Sequence, residues 1–232
     1  MQIVCKNCVM DLSSEEITFD EKGVCNFCHQ AQKSLKEIEA EKHKLPEIIE
    51  QIKKDGKGKK YNCLIGLSGG TDSSTVLHHA VQLGLRPLAL IFDNGYNSSV
   101  ADENVLKMVE KLKVPLYRYV VDLKKFSELQ SAFIRGGAMN LEAIYDHILM
   151  AIIYETANKH KIGWILSGGN TSTESICPSS WGEDPRDRRW IKSVYEANTG
   201  KKLEGLPMIP LWKEQYYRLI KQIKFIRLLD YY

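Results

Sequence analysis

Residues 61–73 read YNCLIGLSGGTDS, and this stretch decides the fold class. The apolar run at 61–67 predicts a buried β-strand, and the pattern from Ser73 to Leu83, closed by Gly84, predicts a helix. A loop with two adjacent glycines joins them. A strand, a glycine loop and a helix in this order are typical of phosphate-binding sites in α/β proteins.

The same alternation continues along the chain. Strands are predicted at 87–92, 116–121 and 162–166, and helices from Ser98 or Ser99 and from near Asn140. Short buried strands alternating with helices predict an α/β fold with a doubly wound parallel sheet, whose ligands bind at the carboxyl ends of the strands. The predicted ligand-binding rim comprises Ser68–Ser73, Asp93–Asn97, Asp122 and Ser167–Thr171.

The glycine loop is predicted to bind phosphate. Glycines let backbone N–H groups approach an anion closely, and the hydroxyls of Ser68 and Ser73 can donate further hydrogen bonds. Asp72 is expected to hold Mg²⁺ or to orient the loop, because a carboxylate repels phosphate. The alternative interpretation is a plain helix cap. The spacing matches neither the Walker loop nor the dinucleotide-binding glycine pattern.

Four of the six cysteines form two close pairs, Cys5-x-x-Cys8 and Cys25-x-x-Cys28, separated by 16 residues. This spacing predicts a zinc ribbon in which four thiolates hold a structural Zn²⁺. Cys25 to His29 also matches the Cys-x-x-Cys-His haem attachment pattern, but haem would leave the first cysteine pair unexplained. The other two cysteines are expected in less specific places, Cys63 in the core and Cys177 in a loop.

The chain divides into a predicted zinc ribbon at 1–29, a helical linker at 30–60 and a nucleotide-binding domain at 61–232.

The formal net charge of +3 is too small to favour a nucleic-acid-binding protein. The N-terminus lacks the pattern of a signal peptide, and no apolar run reaches the length of a membrane span. We therefore expect a cytoplasmic protein without membrane contact.

The segment Ser68–Ser73 resembles the Ser-Gly-Gly-x-Asp-Ser signature of the PP-loop ATP pyrophosphatase superfamily. The resemblance implies an adenine-nucleotide α-hydrolase-like fold that uses ATP and Mg²⁺ and releases pyrophosphate. With neighbouring rim positions added, the predicted ATP-binding residues are Ser68, Gly69, Gly70, Thr71, Asp72, Ser73, Asp93, Gly168 and Gly169.

Further segments resemble the N-acetyl sugar amidotransferase family of surface-polysaccharide and nonulosonic-acid pathways. They are residues 5–10, 17–28, 92–98, 165–170 and 177–182. The resemblance implies that a sugar acetamido group becomes acetamidino, through O-adenylation of the amide and attack by ammonia. It also implies separate glutaminase and ammonia-channelling subunits. Family members are usually longer, so we expect either a truncated form or a short member.

The remaining candidates are assigned with the resemblance in mind. The predicted catalytic residues are Asp72, Ser73, Asp146 and His147, and the predicted substrate-binding residues are Asn94, Arg135, Asn140, Glu142, Asn170 and Glu174. Asp146 can equally be a solvated helix residue, and His147 a satisfied buried histidine. Guanidinium groups match a sugar carboxylate or diphosphate, and the sequence offers Arg186, Arg188 and Arg189 beside Arg135. Local pairing with Asp184 and Asp187 is the alternative.

Two other functions remain open. A tRNA thiolase of the same superfamily would activate a base carbonyl in the same manner, but it calls for a pair of catalytic cysteines near the rim. A non-catalytic nucleotide-binding scaffold for a glutaminase would keep the loop without its chemistry. At the end of the chain, residues 216–229 have helical periodicity and predict a last helix.

Overall fold

The computed structural model describes residues 3–172, 174 and 176–232. Five strands form one sheet in the order β3-β2-β1-β4-β5, and all neighbouring pairs are parallel. The strands are β1 Cys63–Gly66, β2 Pro87–Asp93, β3 Leu116–Val120, β4 Trp164–Ser167 and β5 Lys224–Arg227. The predicted parallel α/β sheet is confirmed. Because β4 returns to the other side of β1, the strand order reverses between these two strands, and ligands favour such switch points.

The described part of the chain contains eight α-helices. They are α1 Asn26–Glu41, α2 Leu45–Asp55, α3 Thr71–Gln82, α4 Ser99–Leu112, α5 Leu123–Arg135, α6 Ala143–Lys159, α7 Arg188–Thr199 and α8 Leu211–Gln215. Short 3-10 turns occupy 42–44, 179–181 and 228–231, and one π turn occupies 216–220. Of the two predicted starts of α4, Ser98 and Ser99, Ser98 is the cap, because its hydroxyl accepts a hydrogen bond from Ala101 N–H.

Two hydrophobic cores cover the two faces of the sheet. Alternate strand residues point to opposite faces, so Leu64 packs with α5, α6 and α7, while Ile65 packs with α2, α3 and α4. Cys63 is fully buried in the second core, as predicted, and burial raises the pKa of its thiol to about 12. This two-sided packing fixes the carboxyl edge of the sheet at one end of the molecule.

The prediction of a last helix at 216–229 is wrong. After the π turn, Gln222 adopts φ +54°, which ends the helical path, and residues 224–227 form β5. Backbone pairing with β4, from Trp164 opposite Lys224 to Ser167 opposite Arg227, outweighs the helical periodicity. The sheet therefore gains an edge strand that the side-chain pattern does not predict.

The predicted start of the long helix near Asn140 is also too early. The helix α6 begins at Ala143, with Glu142 at its N-cap position, and the Asn140 side chain accepts a hydrogen bond from Ala143 N–H (3.1 Å) just before the helix. Leu141 lies before the helix and is exposed. Asn140 and Glu142 therefore precede α6, and only Asp146 and His147 of the four polar candidates lie within it.

A third, smaller cluster of buried side chains lies near the N-terminus and includes Cys5, Cys25 and Cys28. The helix α1 begins inside the second cysteine pair, at Asn26, with Cys25 at its N-cap position. No helix in the described ranges combines the length and the apolar character needed to cross a membrane.

Candidate functional site

The glycine loop folds onto the first turn of α3. The backbone N–H of Ser68 donates to Ser73 Oγ (3.2 Å), the two serine hydroxyls lie 3.2 Å apart, and Gly70 N–H donates to Ser68 Oγ (3.3 Å). Gly70 occupies the N-cap position of α3, and among the described residues no side chain caps this helix. Its first N–H groups are therefore available to an anion at the carboxyl edge of the sheet.

Other helices that start at this edge are capped by their own side chains. Ser98 caps α4, and Asp122, a predicted rim residue, caps α5 by accepting from Lys125 N–H (3.1 Å). The interpretation of the glycine loop as a plain helix cap is thus not what the structure shows, because Thr71 and Asp72 lie within α3 rather than before it. The uncapped start of α3 and the two serine hydroxyls beside it are groups that could bind an anion.

Two glycines allow the loop to meet its neighbours. Gly69 has φ +78°, and a Cβ atom there would lie 2.5 Å from the Ala101 carbonyl oxygen in α4. A Cβ atom on Gly168 would lie 2.9 Å from the backbone nitrogen of Ser73. The loops after β1 and β4 and the start of α4 are therefore in direct contact at the switch point, as the predicted rim requires.

An apolar slot of about 190 Å³ lies beside the loop. Its walls come from the ends of β1, β2 and β4 and from α6, and they include Ser68, Phe92, Tyr145, Met150 and Gly168. The rings of Phe92 and Tyr145 have centroids 5.0 Å apart, and burial raises the pKa of the Tyr145 hydroxyl. A narrow apolar slot next to an anion site is suited to a planar ring that carries phosphates.

Sequence reasoning missed Tyr145 and Met150 as parts of the rim. The α6 residues chosen as candidates were the polar Asp146 and His147, whereas Tyr145 and Met150 are apolar or aromatic and lie half-buried between the core and the slot. A helix that is apolar on nearly every side is the signal that it lines a cleft as well as a core.

Asp93, predicted at the nucleotide, is held by an arginine that sequence reasoning also missed. Arg118 in β3 donates through Nη1 to Asp93 Oδ2 (2.8 Å) and to Asp102 Oδ2 (2.9 Å), and Asp102 and Asp93 together raise the pKa of Arg118, Asp102 more strongly. Asp93 Oδ1 accepts from Gly95 N–H (3.1 Å). The available signal was a charged residue in the middle of a predicted strand.

The polar rim residues after β2 and β4 are placed as predicted, at the same edge. Asn94 and Asn170 are both buried. The Glu174 carboxylate folds back towards Gly169, since a Cβ atom on Gly169 would lie 2.9 Å from Glu174 Oε2. Thr171 donates from its backbone N–H (2.7 Å) and its hydroxyl (3.1 Å) to the Asp230 carboxylate, which fixes the loop after β4 to the end of the chain.

The remaining predicted substrate residues have less specific surroundings. Arg135 is exposed at the last residue of α5, about 20 Å along that helix from its start at the rim. The polar groups of Asn140 are used within the protein, because it bonds Glu183 through its backbone N–H and its side chain, and its side-chain oxygen accepts from Ala143 N–H. Glu142 and Asp146 are exposed, and partial shielding from water, with Glu142 nearby, raises the pKa of Asp146.

His147 is buried and both ring nitrogens are used. Nδ1–H donates to the Pro185 carbonyl oxygen (2.8 Å), and Nε2 accepts from Ile209 N–H (3.2 Å). This pattern needs the neutral ring, and burial lowers the pKa of His147 while the bond to Pro185 opposes the shift. The geometry favours a satisfied buried histidine, which ties two distant segments together, over a catalytic one.

We expect the free energy of unfolding to fall as pH drops below about 6.5, the ordinary histidine pKa. The folded pKa of His147 is lowered, so the unfolded state binds more protons in this window and stability rises with pH through it. Urea midpoints from about pH 5 to 8 would measure the slope. His147→Gln should flatten it, and the exposed His43→Gln should not. Equal slopes in His147→Gln and the unsubstituted protein would contradict this account.

The four paired cysteines converge on one point. Their sulfur atoms all lie within 4.8 Å of one another, with Cys5–Cys28 at 3.9 Å and Cys8–Cys25 at 3.6 Å. Four thiolates at tetrahedral Zn–S distances have sulfur atoms about 3.8 Å apart, so the cluster fits zinc. Burial acts to raise the pKa of the Cys5 thiol. Hydrogen bonds from the backbone N–H groups of Asn7 and Cys25 outweigh this effect and lower the pKa to about 6. His29 is exposed and bonds Asp20 (2.9 Å), which gives no support to a haem site.

The cysteine module, residues 3–28, is bonded to the loop that follows β4. Glu16 accepts hydrogen bonds from Ser179 N–H (3.1 Å), Ser179 Oγ (2.9 Å) and Ser180 N–H (2.9 Å), and these bonds lower the pKa of Glu16. The Ser180 hydroxyl donates to Ser14 Oγ (2.8 Å), and Ile176 packs on the cysteine cluster. The module therefore fixes the segment just after Glu174.

Comparison with known proteins gives the family. The NAD synthase family model matches residues 42–204. An uncharacterized protein of Methanocaldococcus jannaschii is 32% identical over 114 residues, which is 48% of this chain and 40% of that protein. The 7-cyano-7-deazaguanine synthase of Psychromonas ingrahamii is 42% identical over 62 residues, 27% of each chain. The chain thus spans less than half the length of either relative.

Solved structures are similar at a lower level. The NH3-dependent NAD synthetase from Campylobacter jejuni is 16% identical with a TM-score of 0.40, over 72% of each chain. The NMN synthetase from Francisella tularensis is 16% identical with a TM-score of 0.39, over 84% of this chain and 95% of that one. The family match spans more than half of the sequence, so this chain belongs to the NAD synthase family of the PP-loop ATP pyrophosphatase superfamily.

Proposed function

We propose that this protein is an ATP-dependent amidotransferase that converts a sugar acetamido group to an acetamidino group and releases AMP and pyrophosphate. One observation carries the proposal beyond the superfamily. The cysteine module and residues 177–182 are separated by about 150 residues in sequence and both resemble the sugar amidotransferase family. They form one interface, in which Glu16 binds Ser179 and Ser180.

The nucleotide would lie across the switch point. In this proposal the uncapped N-terminus of α3 and the hydroxyls of Ser68 and Ser73 hold the phosphates, and the slot beside Tyr145 takes the adenine. Asp72, exposed in the first turn of α3, would hold Mg²⁺, which supplies positive charge to the departing pyrophosphate.

The reaction proceeds in two displacements. The amide oxygen of the sugar attacks the α-phosphorus, the bond between the α- and β-phosphates breaks, and pyrophosphate leaves. Ammonia then adds to the imidate carbon, AMP departs with the former amide oxygen, and a proton is lost to give the acetamidine. Asn94, Asn170 and Glu174 are proposed to position the acceptor, because they follow β2 and β4 at the edge of the sheet where the loop lies. Asp146, with its raised pKa, is proposed to handle the proton.

Ammonia is proposed to come from a separate glutaminase with a channelling subunit, as the resemblance implies.

The tRNA thiolase alternative receives no support from the cysteines. Four of the six lie in the metal cluster and Cys63 is buried in the core, so Cys177 alone is exposed. A pair of reactive cysteines at the rim is therefore not available.

The test is an incubation with ATP, Mg²⁺, ammonium and a panel of acetamido sugars, including nucleotide-linked uronic acids and nonulosonic acids. We expect AMP and pyrophosphate with one sugar only, and a product about one mass unit lighter because oxygen is replaced by NH. AMP formed without any sugar would favour the tRNA thiolase. ATP binding without cleavage under every condition, including added glutaminase, would favour the scaffold.

Asp72→Ala is expected to lower the rate of pyrophosphate release by about 100-fold or more, while zinc stays bound. The carboxylate is exposed and the cysteine cluster lies elsewhere, so the substitution removes charge without disturbing the fold. Glu47→Ala is the matched control, since Glu47 is an exposed acid in the first turn of α2. Undiminished turnover in Asp72→Ala would remove this residue from the mechanism.

A further inference from the structure

A second cavity, of about 850 Å³, lies between the start of α7 and the start of α8. We name it the arginine cleft; its lining residues are Asp184, Arg186, Asp187, Arg188, Arg189, Pro210, Leu211 and Trp212. His147 fixes both walls, because its ring bonds Pro185 on one side and Ile209 on the other. The two walls of the cleft are therefore fixed relative to each other, and the volume of the cleft lies within the usual range of ligand sites.

The charges in the cleft are only partly compensated. Arg186 pairs with Asp184 through two nitrogen atoms, Nε (3.0 Å) and Nη2 (2.8 Å), so local pairing accounts for this arginine. The carboxylate of Asp187 is used to cap α7, where it accepts from the N–H groups of Arg189 and Trp190. Within the described part of the chain, neither Arg188 nor Arg189 forms an ion pair.

Arg188 carries the strongest sign of a missing partner. Its Nε atom is buried and donates to no acceptor in the described residues. A buried guanidinium donor without an acceptor costs free energy, and an anion with two oxygen atoms is the ligand that its planar fork matches. The guanidinium group of Arg188 is therefore a donor in the cleft lining that an anion could use.

The opposite wall offers an aromatic face. Trp212 is 71% exposed and Leu211 is 59% exposed, although both line the cleft. An indole ring held beside arginines is suited to stacking with a nucleobase whose phosphates reach the guanidinium groups.

We propose that the arginine cleft binds the nucleoside diphosphate part of a nucleotide-linked sugar. Arg188 and Arg189 bind the diphosphate, and Trp212 stacks on the base. This inference rests on the proposed amidotransferase and names the carrier of its acceptor, so the carrier nucleotide has a site of its own, apart from the ATP site at the glycine loop.

The test is a calorimetric titration of uridine 5′-diphosphate into the full chain, with Mg²⁺ and saturating α,β-methylene-ATP occupying the loop. We expect binding that weakens about tenfold or more in both Arg188→Ala and Trp212→Ala. Arg218→Ala is the control, because this exposed arginine pairs with Glu214 outside the cleft lining. Failure of uridine diphosphate to bind, or equal affinity in Arg188→Ala, would overturn the proposal. Binding of glucuronate alone in its place would do the same and assign the cleft to a sugar carboxylate.

Arg188→Lys covers the case in which Arg188→Ala does not fold. It keeps the charge but loses the bidentate fork, so binding should still weaken. The outcome is separable from that of the proposed function. If uridine diphosphate binds as expected but no amidine product forms with any sugar, the proposed amidotransferase activity alone is contradicted. If the amidine forms and the KM for the nucleotide-linked sugar is unchanged in the cleft variants, the proposed role of the cleft alone is contradicted.

Discussion

Gly69→Ala is expected to lower ATP-dependent pyrophosphate release by about 100-fold, with a matching loss of α,β-methylene-ATP binding in calorimetry. Two effects combine at this residue. The backbone has φ +78°, which costs an alanine about 1–2 kcal/mol. The new Cβ would also lie 2.5 Å from the carbonyl oxygen and 2.8 Å from the Cα of Ala101. These are backbone atoms of α4 and cannot rotate away, so the loop itself must move.

Gly58→Ala is the matched control for this prediction. Gly58 has nearly the same φ, +75°, but a Cβ added there would have no atom of the described residues within 4 Å. Its substitution should therefore carry the conformational cost without the clash, and it should leave nucleotide binding unchanged. Equal losses in both variants would show that general destabilisation, rather than the contact with α4, controls the loop. Full binding in Gly69→Ala would move the nucleotide away from this loop.

The features that sequence reasoning predicted are those written in short stretches of chain. The strand, glycine loop and helix around Ser68–Ser73 follow from local periodicity and from glycine, and the switch-point rule then places Gly168 beside them. The cysteine cluster follows from spacing alone, because each Cys-x-x-Cys forms half of a tetrahedral site.

The features that it missed depend on partners far along the chain. The strand β5 forms because β4 leaves an edge open, which the helical periodicity of its own side chains conceals. Arg118 matters only because β3 lies next to β2, where Asp93 ends the strand. The interface between Glu16 and Ser179 joins residues 163 apart, and no local pattern signals such a contact.

Cys25→Ser is expected to reduce the zinc content from about one ion per chain to a small fraction of that value, measured by elemental analysis. Cys25 is fully buried, its sulfur lies 3.6 Å from that of Cys8, and it accepts the Cys28 N–H at the start of α1. The module has only a small apolar cluster of its own, so its folding should depend on the metal. Cys177→Ser, at the exposed cysteine, is the control and should retain zinc.

The same substitution should also reach the rim. Loss of the folded module removes the acceptor that Glu16 offers to Ser179 and Ser180, so amide hydrogen exchange at 176–181 should rise in Cys25→Ser. Glu16→Ala breaks that link without touching a cysteine, and it should raise exchange in the same segment while zinc remains bound. If Cys25→Ser kept its zinc, the cluster would not be the metal site. If Glu16→Ala left the exchange rates unchanged, the cysteine module would have no effect on the loop after β4. The expected pair of results instead means that the module holds the segment after Glu174 against the site.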